Sequence, residues 1–554
     1  MKYLPLQGII HLIPTNRIDT MSPILILAGV CLFIYFVLIR PFQFWTNRGV
    51  IQFSVGKLWV DRAKMIVQAN PMAENLKKSY DGFPGARFAG LYQLARPILV
   101  IRDPELIKQI TVKDFDYFID HSPLVPKDCE PLWEKNLLNL KGESWKEMRA
   151  TLSPSFTSSK MKAMFNLMTE CAERFVNYFR VEGSEDTVTV ELKDTFTRFT
   201  NDVIASVSFG MDCDSLKERE NEFYRMVKEA ANFSFSGLCN NMKFVIMLLS
   251  PKLATFFGLH LFSNKVSTFF RNLVTGNMAE RERNGIVRPD MIHLLMEARK
   301  GRLKHERSNE IIDSGFAAIE ESEIGKDENR QKLELSDDDV TAQSMIFFFA
   351  GFETVSTLMC FTAYELAVNP YIQERLREEV DNVLKDGNGI LTHEGLMKME
   401  YMDMVISEVL RKWPPAVGTD RMCVKPYTIH PEREGEKPVH LKKGDVVFMI
   451  MYGIQRDEKY FPDPDRFDPE RFSKENRKNI TPYSYMPFGA GPRSCIANRF
   501  ALLETKLLIF NVLRYFEIVV VKKSVVPIKL SRKQLNLNAE GGFWFGLKPR
   551  KVYY

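Results

Sequence analysis

One short segment, FGAGPRSC ending at Cys495, constrains this chain of 554 residues more than any other. Gly489 and Gly491 lack a β-carbon, so the backbone there can take positive φ and lie close against a flat ligand. Beyond the cysteine, apolar residues recur every three or four positions as far as Phe510, which predicts an amphipathic helix. The segment therefore predicts a relaxed loop that presents one thiol at the start of a buried helix.

The thiol and the arginine of this loop have the chemistry of an iron-porphyrin site. The dipole and the unpaired amides of a helix N-terminus favour thiolate over thiol, so we expect Cys495 to ionise readily. Arg493 carries a fork of donors that suits a carboxylate. A thiolate ligand beside a carboxylate-binding arginine is what an axial haem site needs. The alternative is an inert buried cysteine, which is the commoner fate of a lone cysteine in a core helix.

The loop resembles the haem-binding signature of the cytochrome P450 superfamily, the haem-thiolate monooxygenases. Phe488, Gly491, Arg493 and Cys495 match that signature. Ala497 stands where the superfamily usually has a last glycine, and we expect the fit to survive because alanine is the smallest replacement. The resemblance implies haem b with Cys495 as the axial iron ligand, in a single large domain that is mainly α with a minor β part.

A second motif, Ala350-Gly-Phe-Glu-Thr354, lies within a helix predicted to begin at Ser336 and to be stopped by Pro370. Thr354 can donate to the carbonyl of Ala350, which loosens the helix and makes room for oxygen or water. An acid beside an alcohol is costly in an apolar helix unless it is bonded or functional. The resemblance implies that Glu353 and Thr354 relay protons during oxygen activation. The alternative is a threonine bonded to its own helix and a solvated glutamate.

Two charge motifs precede the cysteine loop. Glu408 and Arg411 are three positions apart in a helical segment, so they lie on one face and can pair. The resemblance implies that Arg471, in a Pro-Glu-Arg-Phe motif, completes a structural network with this pair. Such a network can be buried only if nearly every donor is satisfied. By itself the pair is a weak signal, because any exposed helix can produce it.

A tryptophan and an arginine form a further pair on one helix face. Trp145 and Arg149 are four positions apart. The resemblance implies that both hold a haem propionate, together with Arg421 and Arg493. The alternative is an ordinary cation–π contact between the guanidinium and the indole. In chain order, all these motifs agree with one template.

The N-terminal region contains an apolar stretch, residues 22–39, without a charge until Arg40. A helix of this length is just long enough to span a bilayer. More basic residues follow the stretch than precede it, which places the C-terminal body in the cytosol. A cleaved signal peptide is the alternative. The expected organisation is a leader at 1–21, a transmembrane anchor at 22–39, a linker and the start of the catalytic domain at 40–80, and the catalytic domain at 81–554, with a charged surface connection near 301–339.

Composition gives little support to other classes of protein. The net charge of +5 arises from 75 basic and 70 acidic residues that are interspersed, so nucleic-acid binding is not indicated. The eight cysteines lack the close pairs of zinc sites and the density of a disulfide scaffold. They indicate reduced thiols in a protein that faces the cytosol.

The resemblance also implies an activity and partners. Segments such as GLYQLARPILVIRDPELIKQ resemble insect microsomal members of the family-nine type. Such an enzyme inserts one oxygen atom of O2 into small lipophilic substrates, xenobiotic or endogenous. Its electrons come from NADPH through a reductase, with cytochrome b5 as a second donor, at the endoplasmic reticulum membrane. Two alternatives are a haem-thiolate isomerase or dehydratase, which would have little need for Glu353 and Thr354, and a non-catalytic haem sensor.

Overall fold

The computed structural model describes most of the chain beyond its first 24 residues. The described residues are 25, 27–93, 96–123, 130–183, 186–231, 246, 257, 260–301, 316–318, 335–534 and 536–551. Within these ranges the protein is mainly helical with a minor β part, which confirms the predicted fold class of the main domain.

The helices and strands follow one another in an irregular order. The α-helices of the described ranges are α1 (Val55–Ile66), α2 (Met72–Asp81), α3 (Pro104–Lys108), α4 (Pro131–Glu134), α5 (Gly142–Leu152), α6 (Ser158–Gly183), α7 (Leu192–Phe209), α8 (Glu222–Ala231), α9 (Asn264–Asn284), α10 (Met291–Arg299), α11 (Asp337–Val368), α12 (Pro370–Asp386), α13 (His393–Met397), α14 (Glu400–Lys412), α15 (Met451–Ile454) and α16 (Asn498–Tyr515). The strands are β1 (Phe88–Gln93), β2 (Arg96–Ile101), β3 (Val188–Glu191), β4 (Thr419–Met422), β5 (Tyr427–Ile429), β6 (Val439–Leu441), β7 (Val446–Met449), β8 (Phe516–Val519) and β9 (Trp544–Pro549). Short 3₁₀ or π segments are Ile34–Ile39, Arg40–Gln43, Thr46–Arg48, Gln109–Lys113, Phe115–Tyr117, Ser153–Phe156, Pro469–Phe472 and Arg477–Asn479.

The described strands form three small sheets. The largest has the order β1-β2-β7-β4, in which β2 and β7 are parallel and the other neighbours are antiparallel. The second has the order β3-β9-β8, and β5 pairs with β6. A parallel pair requires a long crossover, and here the crossover from β2 to β7 carries most of the helices. Arg421 lies on β4, so the largest sheet positions one of the predicted basic residues.

The long helix α11 has the predicted extent. Its start is a capping box, in which the Ser336 hydroxyl accepts from the Asp339 amide and the Asp339 carboxylate accepts from the Ser336 amide. Pro370 is the first residue of α12 and cannot continue α11. Most side chains of α11, 22 of 32, are buried, so it forms the middle of the main apolar core.

Helix α7 packs closely on α11. A β-carbon added at Gly351 would lie 3.0 Å from Cδ1 of Ile204, so only glycine leaves full room for this crossing. One turn away on α7, the Thr200 hydroxyl lies 3.2 Å from the carbonyl oxygen of Phe352. The motif around Glu353 is therefore held against α7.

The segment around Trp45, which precedes α1, belongs to the packed body of the protein. The indole of Trp45 is buried and donates to the carbonyl of Leu91 at 3.0 Å. A β-carbon at Gly90 would overlap with the Trp45 ring. The segment predicted as linker and domain start therefore packs against the largest sheet through its aromatic side chains.

The predicted leader lies outside the described residues, as does the beginning of the predicted anchor. Leu25 and residues 27–33 are helical, and their apolar side chains are exposed wherever the structure describes them. Within the described part of the chain, α11 is the one helix that is long and apolar enough to span a bilayer. Because α11 is buried in the core, it serves the fold instead.

The charged connection predicted near 301–339 also lies largely outside the described residues. Three of its residues, 316–318, are described. The ring of Phe316 lies 5.4 Å from that of Phe472 and 5.7 Å from that of Tyr485. At this point the chain therefore packs against the body of the protein, where we expected a solvated surface.

Helix α16 carries a buried acid that no motif predicted. Glu504 is fully buried, and neither carboxylate oxygen has a hydrogen-bond partner among the described residues. Burial raises the pKa of Glu504 well above its ordinary value, so the folded protein favours the neutral carboxyl. The unfolded chain ionises at the ordinary value, so this group lowers stability increasingly as the pH rises above it.

The substitution Glu504→Gln is expected to raise the thermal unfolding temperature, because it removes the cost of keeping a buried carboxyl protonated. The gain should grow between about pH 5 and about pH 8. The measurement is unfolding followed by circular dichroism at both pH values, with the partly exposed Glu517→Gln as control. An equal effect at both pH values would contradict the assignment.

Candidate active site around Cys495

The loop before Cys495 has the predicted glycine conformations. Gly489 has φ 81° and Gly491 has φ 70°, and the Cys495 amide donates to the Phe488 carbonyl at 2.9 Å. A β-carbon at Gly491 would overlap with the carbonyl oxygen of Thr111. The close approach predicted at Gly491 is therefore to a neighbouring backbone, where we expected a flat ligand.

Helix α16 begins later than predicted. Its first residue is Asn498, whose side chain donates to the Cys495 carbonyl at 2.9 Å. Ala497 precedes the helix with φ −99°, a value that any residue adopts. Alanine can therefore replace the usual glycine at this position, and Cys495 lies in the loop, three residues before the helix.

Burial opposes ionisation of the Cys495 thiol, where the sequence predicted that a helix N-terminus would favour it. Burial raises the pKa of the Cys495 thiol, while a hydrogen bond from the Ala497 amide and the charge of Arg149 oppose that shift only in part. Because the helix begins three residues after Cys495, its dipole does not offset the effect of burial on the pKa. A thiolate at this position requires a cation bound to the sulfur, which haem iron would provide.

The guanidinium of Arg493 is bonded mainly to backbone carbonyls. Arg493 donates to the carbonyls of Ile119 and Leu140, each at 2.7 Å, and lies 3.6 Å from Asp120. Its guanidinium carbon lies 4.1 Å from the ring centre of Trp145. Most of its donors therefore tie the loop to the chain around Ile119 and Leu140, and the Trp145 indole packs against the guanidinium of Arg493.

Two further arginines converge on the same loop. Arg149 donates to the Ser494 carbonyl and Arg421 to the Ala490 carbonyl, each at 2.9 Å. The Nε atom of each is buried without a hydrogen-bond partner in the described ranges. Burial lowers the pKa of both side chains to about 10. Burial and the charge of Arg421 lower the pKa of Arg493 to about 9.

This cluster contains more positive charge than its protein neighbours neutralise. Neither Arg149 nor Arg421 forms an ion pair with a carboxylate of the described residues, although both are buried. A buried charge is costly unless a counter-ion pairs with it. The two propionate carboxylates of haem would supply that negative charge next to the Cys495 thiol. The residues of the site therefore fit haem.

A partly buried histidine beside this cluster was missed in the sequence. Nδ1 of His121 lies 2.9 Å from Oδ1 of Asp420, and burial lowers the pKa of His121. A bridge between Asp120 and Met422 brings the two segments together. The contact joins residues 299 positions apart, so no local pattern could have indicated it.

On α11 the acid and the alcohol are both bonded. The Thr354 hydroxyl donates to the Ala350 carbonyl, as its spacing predicts. Oε2 of Glu353 lies 2.9 Å from Nζ of Lys193 on α7, so the glutamate is paired and not simply solvated. Sequence reasoning missed Lys193, because its partner is 160 positions away.

The predicted charge network beneath the loop is formed and buried. Arg411 donates to both carboxylate oxygens of Glu408, at 2.7 and 2.8 Å, and Nε of Arg471 lies 3.5 Å from the same carboxylate. The remaining Arg411 donors reach the carbonyls of Gln455 and Pro464. Glu408 and Arg411 have no exposed surface, which excludes a solvated surface pair.

A sequence profile of the family described as Cytochrome P450 matches residues 58–544. The chain belongs to the cytochrome P450 family. It is 44% identical over 522 residues to cytochrome P450 9e2 of Blattella germanica, covering 92% of this chain and 94% of the relative. It is 41% identical to probable cytochrome P450 9f2 of Drosophila melanogaster, covering 92% and 95%, and 33% identical to cytochrome P450 6k1 of Blattella germanica, covering 94% and 95%.

Membership of the cytochrome P450 family settles the reaction class. The protein is an oxidoreductase, a haem-thiolate monooxygenase that uses O2 and electrons from a redox partner. The predicted resemblance is confirmed, including its family-nine type. The isomerase and the non-catalytic sensor are thereby set aside. The roles predicted for single residues remain predictions.

Proposed function

We propose that this cytochrome P450 inserts one oxygen atom of O2 into small lipophilic xenobiotics or endogenous lipophiles while anchored in the endoplasmic reticulum membrane. NADPH supplies the electrons through a partner reductase, with cytochrome b5 as a second donor. The observation that carries the proposal is the site around the thiol loop. Arg149 and Arg421 are buried beside this loop, and neither forms an ion pair with a carboxylate of the described residues. Membership of the cytochrome P450 family supports the lipophilic substrate class.

In this proposal the side chains of the loop hold haem. Cys495 ligates the iron, Arg149 and Arg421 bind the propionates, and Arg493 and Trp145 fix the loop behind them. Bound haem supplies the activation of O2 and the oxygen insertion. The overall reaction is RH + O2 + NADPH + H⁺ → ROH + H2O + NADP⁺, in which two electrons reduce one oxygen atom to water.

Glu353 and Thr354 would supply the protons for that water. The Thr354 hydroxyl can give its proton toward the reacting oxygen and take one from the Glu353 carboxyl, which recovers a proton from solvent. Glu353 is suited to this exchange because about a third of its side chain, 34%, is exposed. The local bond from Thr354 to the Ala350 carbonyl keeps the hydroxyl oriented until it is needed.

Aromatic side chains beside the motif favour an apolar substrate. Phe349, next to Ala350, stacks on Phe262 with ring centres 5.2 Å apart. Trp133 on α4 lies 6.2 Å from Phe349. Rings of this kind exclude water and bury apolar ligand surface. They support lipophilic compounds as the substrate class.

Exposed apolar side chains near the N-terminus support membrane attachment. Ile66 is 78% exposed and Val67 71%, and Val60 on the same helix is also exposed. Leu27 and Phe33, in the segment predicted to anchor the chain, are exposed as well. Apolar surface of this extent is costly in water, and a bilayer would cover it.

Turnover with ¹⁸O2 tests the proposed reaction. Full-length protein in reductase-containing membranes should hydroxylate a lipophilic hydrocarbon probe, such as an alkylbenzene, to an alcohol that carries one ¹⁸O atom, and only when NADPH is present. Thr354→Ala should lower product per NADPH by about tenfold or more and release more hydrogen peroxide, because proton delivery is impaired.

Thr362→Ala is the matched control for that experiment. Thr362 lies on the same helix and its hydroxyl also bonds to the carbonyl one turn earlier, that of Leu358, at 2.8 Å. This variant should keep the wild-type ratio of product to NADPH. Product without ¹⁸O, or formed equally without NADPH, would contradict the proposed reaction.

Membrane attachment is tested by flotation with phosphatidylcholine vesicles. Deleting residues 1–39 should reduce binding without abolishing it, because α1 still offers apolar surface. Adding Val60→Asp and Ile66→Asp should release the truncated protein, since charged side chains oppose insertion. The control is Val287→Asp, at a residue that is 77% exposed after α9. Equal release by the control would contradict a specific role for α1.

A further inference from the structure

Lys193 connects two helices at the motif proposed to deliver protons. It is the second residue of α7, and its ammonium contacts a single turn of α11. Nζ lies 2.9 Å from Oε2 of Glu353, 2.8 Å from the Ser356 hydroxyl and 3.0 Å from the Thr357 hydroxyl. The carbonyl oxygen of Glu353 is 3.3 Å away. One ammonium therefore binds four oxygen atoms of this turn.

The sequence of α11 places these acceptors together. Glu353, Ser356 and Thr357 stand at positions i, i+3 and i+4, so they share one helix face. The close crossing at Gly351 and Ile204 brings α7 within reach of that face. The contact thus follows from helix geometry and does not depend on a flexible surface side chain.

The surroundings of Lys193 make this contact rigid. An ammonium has three protons to donate, and the Glu353 carboxylate and two hydroxyls can accept all of them. Only 14% of the Lys193 side chain is exposed, so water competes weakly for these donors. An ion pair that is partly desolvated and bonded on every donor holds its partners more firmly than an exposed pair does.

We propose that Lys193 is a positioning residue for proton delivery, which fixes the carboxyl group of Glu353, the residue adjacent to Thr354 in the sequence. This inference rests on the proposed function. In each transfer, solvent gives a proton to Glu353, Glu353 gives one to the Thr354 hydroxyl, and the hydroxyl passes its own proton on. Lys193 keeps its three protons throughout and acts only by holding Glu353 in place.

The substitution Lys193→Met removes the charge and keeps most of the side-chain volume. Because Glu353 loses its fixed position, kcat should fall by about tenfold with little change in KM, and more NADPH should be spent on hydrogen peroxide. Lys193→Arg keeps the charge and should recover most of the product per NADPH. The measurements are product, NADPH and peroxide in the reductase-containing membranes.

A lysine in an exposed ion pair provides the control. Lys162 on α6 pairs with Glu394 on α13, away from the motif. Lys162→Met should leave the ratio of product to NADPH unchanged. A double-mutant cycle of thermal unfolding with Lys193→Met and Glu353→Gln measures the coupling of the pair independently of activity.

The two experiments separate the possible failures. The proposal is supported if the stability changes of Lys193→Met and Glu353→Gln are not additive, if Lys193→Met lowers product per NADPH, and if Lys193→Arg recovers it. It is overturned if Lys193→Met lowers stability but leaves kcat and product per NADPH unchanged, because Lys193 is then structural only. If the wild type forms no NADPH-dependent product, the proposed function fails first, and the unfolding cycle still reports whether the pair is coupled.

Discussion

The structure around Cys495 is organised by buried positive charge. Arg149 comes from α5, Arg421 from β4 and Arg493 from the loop itself, so three distant parts of the chain meet at one place. Their backbone acceptors orient the guanidinium groups without neutralising them. The cost of burying these charges falls when an anion binds, and haem brings two carboxylates and an iron cation for the thiol. Haem binding and the stability of this region are therefore expected to be linked.

The second organising contact is the crossing of α7 and α11. Gly351 allows the approach, and Lys193 and Thr200 bond across it. Glu353 is thus held by a neighbouring helix, while the Thr354 hydroxyl is held by its own helix. The two side chains are therefore oriented by different partners.

Much of this arrangement follows from local sequence rules. Positive φ at Gly489 and Gly491, the bounds of α11 and the bond from Thr354 to Ala350 all depend on residues within one or two turns, so the sequence predicts them. The start of α16 was predicted wrongly, and burial raises the pKa of Cys495 where the sequence predicted that the helix dipole would lower it. The contacts of Lys193 and His121 join distant segments and leave no periodic pattern to find.

Iron ligation by Cys495 is the central claim, and the absorption spectrum of the reduced carbon-monoxide complex tests it most directly. The full-length wild type should show the red-shifted Soret band of a thiolate-ligated haem, and Cys495→Ala should lose that band. Circular dichroism of both proteins would verify that they are folded. A folded wild type that contains haem but lacks the shifted band would contradict the assignment of Cys495 as the ligand.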